Sequence, residues 1–253
     1  MSGEENPLVT APASSTRRER TRAATVEEIK ATALGLMREQ QTTDVRFTDI
    51  ARVMGMTPPA LYRYYADRDE LLTALITDAY LDLGRSIAAA RESRSDKDFG
   101  GRWLAAAMAY REWALREPQQ FAMILGLPVP GYAAPDEGPT TEAARRAMDE
   151  LAHLFVSAAQ AKKLRRPLVR VVSAALTRCQ KDKHPELEGI LPPETFQAML
   201  HAWATLHGIT SLEAYGHLDW LEPEARESLF LSTVEMVASS AGLPPPSAVS
   251  GAR

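Results

Sequence analysis

The chain has 253 residues, 45% hydrophobic and 25% charged, enough to bury a full core as one or two domains. A single cysteine, Cys179, excludes an intrachain disulfide and a cysteine-rich zinc site; it reads as a buried small apolar side chain, with a redox sensor as the alternative. The net charge of −4 argues at first against a nucleic-acid partner, but residues 17–68 carry ten Lys/Arg and seven Asp/Glu, a basic +3 that leaves −7 elsewhere.

Residues 1–16 read as an acidic, Pro/Ala/Ser-rich disordered tail without the apolar core of a signal peptide. Arg17, Arg18, Arg20 and Arg22 follow, either as a solvated charged helix start or as an arm reaching phosphates or the minor groove. Their place just before the next motif favours the arm. A helix is expected from about Thr25 to Gln40, with Val26, Ile29, Ala33, Leu36 and Met37 on its apolar face.

Residues 46–71 are the most informative stretch. Phe47, Ile50, Ala51 and Met54 recur at i, i+3, i+4 and i+7, so a short helix runs from about Thr48 to Met54, with Thr48 as its cap. Gly55 breaks it where a left-handed residue is needed. Thr57 is the next N-cap, and Pro58 at the first helical position loses no hydrogen bond. Leu61 and Tyr65 pack back on Ile50 and Ala51, which leaves Pro59, Ala60, Arg63 and Tyr64 pointing elsewhere, with Tyr62 between the two faces. This is a helix-turn-helix whose second helix enters a major groove of double-stranded DNA. Pro59 and Ala60 suit a thymine methyl, Arg63 a guanine or a phosphate, and Tyr62 and Tyr64 phosphate oxygens. With one strong hydrogen-bonding reader, part of the specificity is expected from DNA shape.

The segment resembles the TetR/AcrR family of one-component regulators over roughly Thr25 to Leu83. The matching residues are Phe47-Thr48, Ile50-Ala51, Gly55-Met56-Thr57, Leu61-Tyr62, Tyr64-Tyr65 and Arg68-Asp69-Glu70-Leu71. Arg68 stands where the family usually has lysine and can still bind phosphate. Pro58-Pro59 replaces a more polar pair, which makes readout there mainly steric. The resemblance implies a cytoplasmic homodimer that binds an operator and is released by a small apolar or amphipathic effector.

Asp67 is expected to cap a long helix reaching about Arg91, the mechanical link from a domain at 17–70 to a helical ligand-binding and dimerisation domain at 71–242. Residues 92–101 read as a loop. Further helices are expected at about 103–116, from Pro118, at 141–162, 167–181, 194–215 and 223–241, with a Pro/Gly-rich loop at 127–139 and a Pro/Ser/Gly tail at 243–253. No segment alternates like a strand, so the fold class is all-α, with about nine to ten helices.

Trp103, Tyr110, Trp113, Met123 and Phe155 read either as plain core or as an apolar pocket, and the resemblance implies such a pocket. The run Trp203-x-x-x-His207-Gly208 resembles a Trp-His-Gly pattern of one TetR subgroup. His207 is then either a satisfied core or interface histidine or a ligand contact. The resemblance also implies a dimer through the last two helices, where Gly208, Leu229, Thr233, Met236, Val237 and Ser240 fit the seam.

No glycine-rich phosphate loop, His-x-x-x-His pair or nucleophile elbow occurs, and no apolar run approaches the ~18 residues of a membrane span. No catalytic residue, metal or cofactor is expected. A non-DNA helical interaction protein and an all-α enzyme acting on a small molecule are the alternatives.

Overall fold

A computed structural model describes residues 16–134 and 137–247, and among these every regular element is helical. Ten α-helices occur: α1 (Arg17–Gln40), α2 (Phe47–Val53), α3 (Pro58–Leu61), α4 (Arg68–Glu92), α5 (Phe99–Arg116), α6 (Pro118–Leu125), α7 (Pro139–Gln160), α8 (Ala174–Lys183), α9 (Pro193–Ala214) and α10 (Pro223–Ser240). A 3₁₀ turn at Pro185–Leu187 joins α8 to α9. The chain divides into two compact units, Met1–Arg68 and Asp69–Arg253.

In the first unit α1 begins eight residues before the expected Thr25. The Thr16 hydroxyl accepts from the Glu19 amide while the Glu19 carboxylate accepts from the Thr16 amide, a capping box that starts the helix at Arg17. Arg17, Arg18, Arg20 and Arg22 are therefore exposed positions on a helix rather than an extended arm. The tail expected at 1–16 lies outside the described residues except for Thr16. Ile29, Ala33, Leu36 and Met37 form the buried face of α1, which packs on α2.

In the second unit α5 starts at Phe99, four residues before the expected Trp103, because the Asp98 carboxylate accepts from the Gly101 amide. Gly100 permits a close approach there: a Cβ on it would lie 2.3 Å from the Pro244 carbonyl oxygen. Residues 243–247, expected in the C-terminal tail, thus lie against α5, with Leu243 buried and the Ser247 amide donating to Asp98 at 2.8 Å. Desolvation alone would raise the Asp98 pKa, but the Ser247 and Gly101 amides and the Arg94 charge hold it below the usual carboxylate value. Residues 248–253 lie outside the described residues.

The helix expected from Pro167 starts only at Ala174, capped by Ser173. The preceding segment is held elsewhere, since the Arg165 and Leu168 amides donate to the Gly242 and Ser240 carbonyls at the end of α10. Cys179, expected to be buried, is exposed on α8.

The second unit is centred on α5, which packs on α7, α9 and α10. Trp103, Ala106, Ala107, Tyr110, Trp113 and Ala114 are among its buried positions. Arg111 on α5 reaches Glu213 on α9 through two 2.6 Å bonds, with its guanidinium 5.1 Å from the Phe230 ring centroid on α10. Three helices are thereby fixed at one charged junction. Between α4 and α7, a Cβ on Gly84 would come within 3.3 Å of the Ala147 Cα, and Arg91 bonds Glu150 at 2.8 Å.

Candidate nucleic-acid interface and body cavity

The helix-turn-helix is assembled from local rules. α2 buries Phe47, Ile50 and Ala51. Its N-cap is Arg46, without a side-chain bond, so Thr48 does not cap it; Thr48 is exposed on the first turn. Gly55 adopts φ 64°, the left-handed turn its lack of a Cβ allows. The Met56 amide closes back on the Ala51 carbonyl at 2.8 Å. Thr57 is the extended N-cap of α3 and Pro58 its first residue, again without a side-chain bond.

α3 is only Pro58–Leu61, and turns carry the chain on, with the Arg63 amide donating to Ala60 and the Tyr64 amide to Leu61. Leu61 and Tyr65 are buried, whereas Thr57, Pro59, Tyr62 and Arg63 are exposed and Ala60 and Tyr64 half-buried. The Tyr62 ring lies 5.1 Å from the Phe47 ring, so it is steadied beside the start of α2.

Arg22 on α1 donates to the Arg63 carbonyl at 2.9 Å and lies 5.1 Å from the Tyr64 ring centroid. Arg17, Arg18, Thr21, Arg22, Arg63 and Tyr64 line an open groove of about 680 Å³ without a carboxylate on its wall. The structure thus brings together five of the expected DNA contacts. Thr21 was missed, although it sits four residues after Arg17 on the same helix face. Arg20 does not line the groove. Arg68 is engaged inside the unit, with Nη2 2.6 Å from Asp44 and Nε donating to the Val45 carbonyl. It secures the loop before α2.

In the second unit a cavity of about 250 Å³ lies between α5, α7 and α9. Trp103, Met148, Asp149, Leu151, Ala152, Phe155, Phe196, Met199, Leu200 and Trp203 line it, with His184 from the end of α8. Of the expected pocket residues, Trp103, Phe155 and Trp203 are brought here. Most of the missed ones share a helical period with these: Met148, Leu151 and Ala152 with Phe155 on α7, and Phe196, Met199 and Leu200 with Trp203 on α9, each set at i, i+3, i+4 and i+7.

Tyr110, Trp113, Met123 and His207 do not line this cavity. Trp113 donates its indole N–H to Asp82 at 2.8 Å. The Tyr110 hydroxyl is 3.0 Å from His207 Nδ1. Desolvation by burial, with smaller contributions from Tyr215 and Tyr80, pushes the Tyr110 pKa far up, so the phenol keeps its proton. Desolvation lowers the His207 pKa and favours the neutral ring. The phenol then donates to Nδ1, which places the imidazole proton on Nε2, 3.5 Å from Ser211 Oγ. Phe121 and Trp203 rings flank His207 at 5.7 and 5.9 Å. It is a satisfied histidine whose stack steadies Trp203 at the cavity wall.

The family described as "Tetracyclin repressor-like, C-terminal domain" matches residues 103–237, more than half of the chain. The chain belongs to the TetR family. Among relatives of this TetR-family chain, the HTH-type transcriptional regulator Rv1816 of Mycobacterium tuberculosis is 44% identical over 88 residues, which is 35% of this chain and 38% of that protein. The counterpart Mb1846 of Mycobacterium bovis matches to the same extent, so the matched stretch spans well under half of either relative. The crystal structure of the putative regulatory protein SCO4313 is 33% identical, with TM-score 0.68, over 88% of this chain and all of that one. A Rhodococcus sp. RHA1 protein of unknown function, 22% identical over 83% of this chain and 92% of its own, shares the fold at TM-score 0.61.

No described helix is long and apolar enough to cross a membrane, and no described cluster of His, Cys, Asp and Glu could hold a metal.

Proposed function

We propose that this TetR-type regulator is a homodimeric repressor that binds an operator and leaves it when a small effector enters the body cavity. The observation that carries the reading is the arginine-rich, carboxylate-free groove joining the start of α1 to the end of the recognition turn. Its arginines suit phosphates on either side of a groove. Pro59 and Ala60, beside it, offer shape and methyl contacts and no hydrogen bonds.

Dimerisation through α9 and α10 is supported by an exposed apolar band. On α10 Met236 is 60% and Leu229 40% exposed, and Trp220 in the α9–α10 connection is 78% exposed. The Thr233 and Ser240 hydroxyls donate to Leu229 and Met236 carbonyls one turn back, so that face of α10 is less polar than its sequence. A Cβ on Gly208 would meet nothing within its own chain. Val237, expected in the seam, points into its own core beside Val234 and is buried.

The route from effector to DNA runs through α7. Its cavity face carries Met148, Asp149, Leu151 and Ala152, while Ala147 and Glu150, interleaved with them, touch Gly84 and Arg91 of α4. An effector that shifts α7 shifts α4, and α4 continues from Arg68, the residue that secures the loop before α2. By linkage, effector and DNA weaken each other by the same free energy, typically ~1–3 kcal/mol.

The test is selection of bound fragments from random DNA, followed by fluorescence-anisotropy titration. Affinity for the selected sequence well above that for scrambled DNA, falling steeply with salt, is the expected outcome. Equal affinity for both sequences would remove the proposal.

A further inference from the structure

We infer that the cavity between α5, α7 and α9 takes a hydrophobic organic cation, with its charge held at the mouth by Asp149. The inference rests on the reading of that cavity as the effector site. Four aromatic side chains, Trp103, Phe155, Phe196 and Trp203, are among the residues of its wall. Aromatic faces attract cations, and more strongly where water is excluded. The ionisable groups on the wall are Asp149 and His184.

His184 is already engaged. Its Nδ1 is 3.1 Å from a Glu186 carboxylate oxygen and its ring lies 5.5 Å from the Phe196 ring. Asp149 is exposed and, among the described residues, has neither a hydrogen bond nor an ion pair. Asp149 is therefore the carboxylate this wall offers to a cation, with Glu186 held beside His184 off the wall.

An anionic ligand meets no lysine or arginine on this wall. The Trp103 indole N–H, a donor an anion would want, is taken by the Val234 carbonyl at 3.1 Å. A neutral apolar ligand uses the rings and leaves Asp149 idle, whereas a cation uses both. At about 250 Å³ the cavity falls just below the roughly 300–1,000 Å³ usual for drug-sized ligands, which points to a single-ring molecule.

The test uses the full chain and three probes of one shape: benzyltrimethylammonium, its neutral carbon isostere neopentylbenzene, and phenylmethanesulfonate. Binding is read from tryptophan emission, because Trp103 and Trp203 line the site. The cation should bind at least about tenfold tighter than the isostere, in line with a desolvated cation–π contact plus a carboxylate, and the sulfonate should bind weakest. Asp149→Asn should remove the carboxylate's share of the cation's preference, leaving only the cation–π share, and leave the isostere unchanged. Ala152→Phe, which fills the cavity, should abolish binding of all three.

Cation affinity no better than that of the isostere would overturn the inference, as would a cation preference undiminished by Asp149→Asn, binding that survives Ala152→Phe, or failure of all three to bind. The DNA assay separates this from the effector reading. Asp149-dependent cation binding without DNA release leaves the ligand class standing and removes the effector role. Release by the isostere alone does the reverse.

Discussion

Glu213→Ala should be among the most damaging single substitutions outside the apolar core. The Glu213 side chain is 5% exposed and accepts two 2.6 Å bonds from Arg111, whose own side chain is 12% exposed. Removing the carboxylate leaves a guanidinium between α9 and α10 with the Phe230 ring beside it and only the weaker fields of Glu227 and Glu112 to offset its charge. Breaking a buried pair in this way costs about 3–5 kcal/mol. The residual accessibility of Arg111 favours the lower end, about 3 kcal/mol. At roughly 2–4 °C per kcal/mol for a chain of this size, the melting temperature should fall by about 6–12 °C. Urea unfolding at fixed protein concentration should show the midpoint shift with an unchanged slope. Arg111→Met/Glu213→Leu should recover most of the loss, because both charges then leave together. A loss below about 1 kcal/mol for Glu213→Ala, or a double variant no better than the single, would refute the account of this junction.

Arg22→Ala should weaken binding to all DNA sequences alike and reduce the salt slope by about one, measured by anisotropy at several salt concentrations. Met236→Glu places a charge on the exposed α10 face, so sedimentation should show a folded monomer with reduced operator affinity. Acidification should destabilise the protein from about pH 6.5 downward. The folded-state pKa of His207 is lowered by desolvation, and that of His153 by desolvation and then by Arg91 and Arg102, so the unfolded chain binds protons first. Stability is therefore full above the unfolded value and lost as pH falls; His207→Asn should remove only its share of that slope in urea titrations at stepped pH.

The helix-turn-helix was legible because its signals are local. The i, i+3, i+4 pattern of Phe47, Ile50 and Ala51, the left-handed turn at Gly55 and the Thr57-Pro58 start each act within a few residues. The start of α1 was legible too, in Thr16 and Glu19 as a capping box, but the arginine run hid it by lacking apolar periodicity. The start of α8 was not legible. Pro167 resembles a first helical residue, yet the amides around it are claimed by the end of α10, more than 70 residues away in sequence. The packing of residues 243–247 on Gly100 is equally non-local. In the cavity, eight of the eleven wall residues follow from the periods of α7 and α9. Tyr110 and Trp113 could not be sorted from Trp103 by residue type, because Asp82 and His207 decide which rings are core.

The central claim is that occupancy of the body cavity and occupancy of DNA oppose each other. Its most direct measurement is an anisotropy titration of the selected DNA fragment with wild type and Ala152→Phe, each with and without a saturating cavity ligand. The expected result is a 5- to 150-fold loss of DNA affinity on ligand addition, the range that ~1–3 kcal/mol of coupling gives. The loss should be absent in Ala152→Phe, measured against that variant's own ligand-free DNA affinity. Unchanged DNA affinity in the ligand-saturated wild type would contradict the claim.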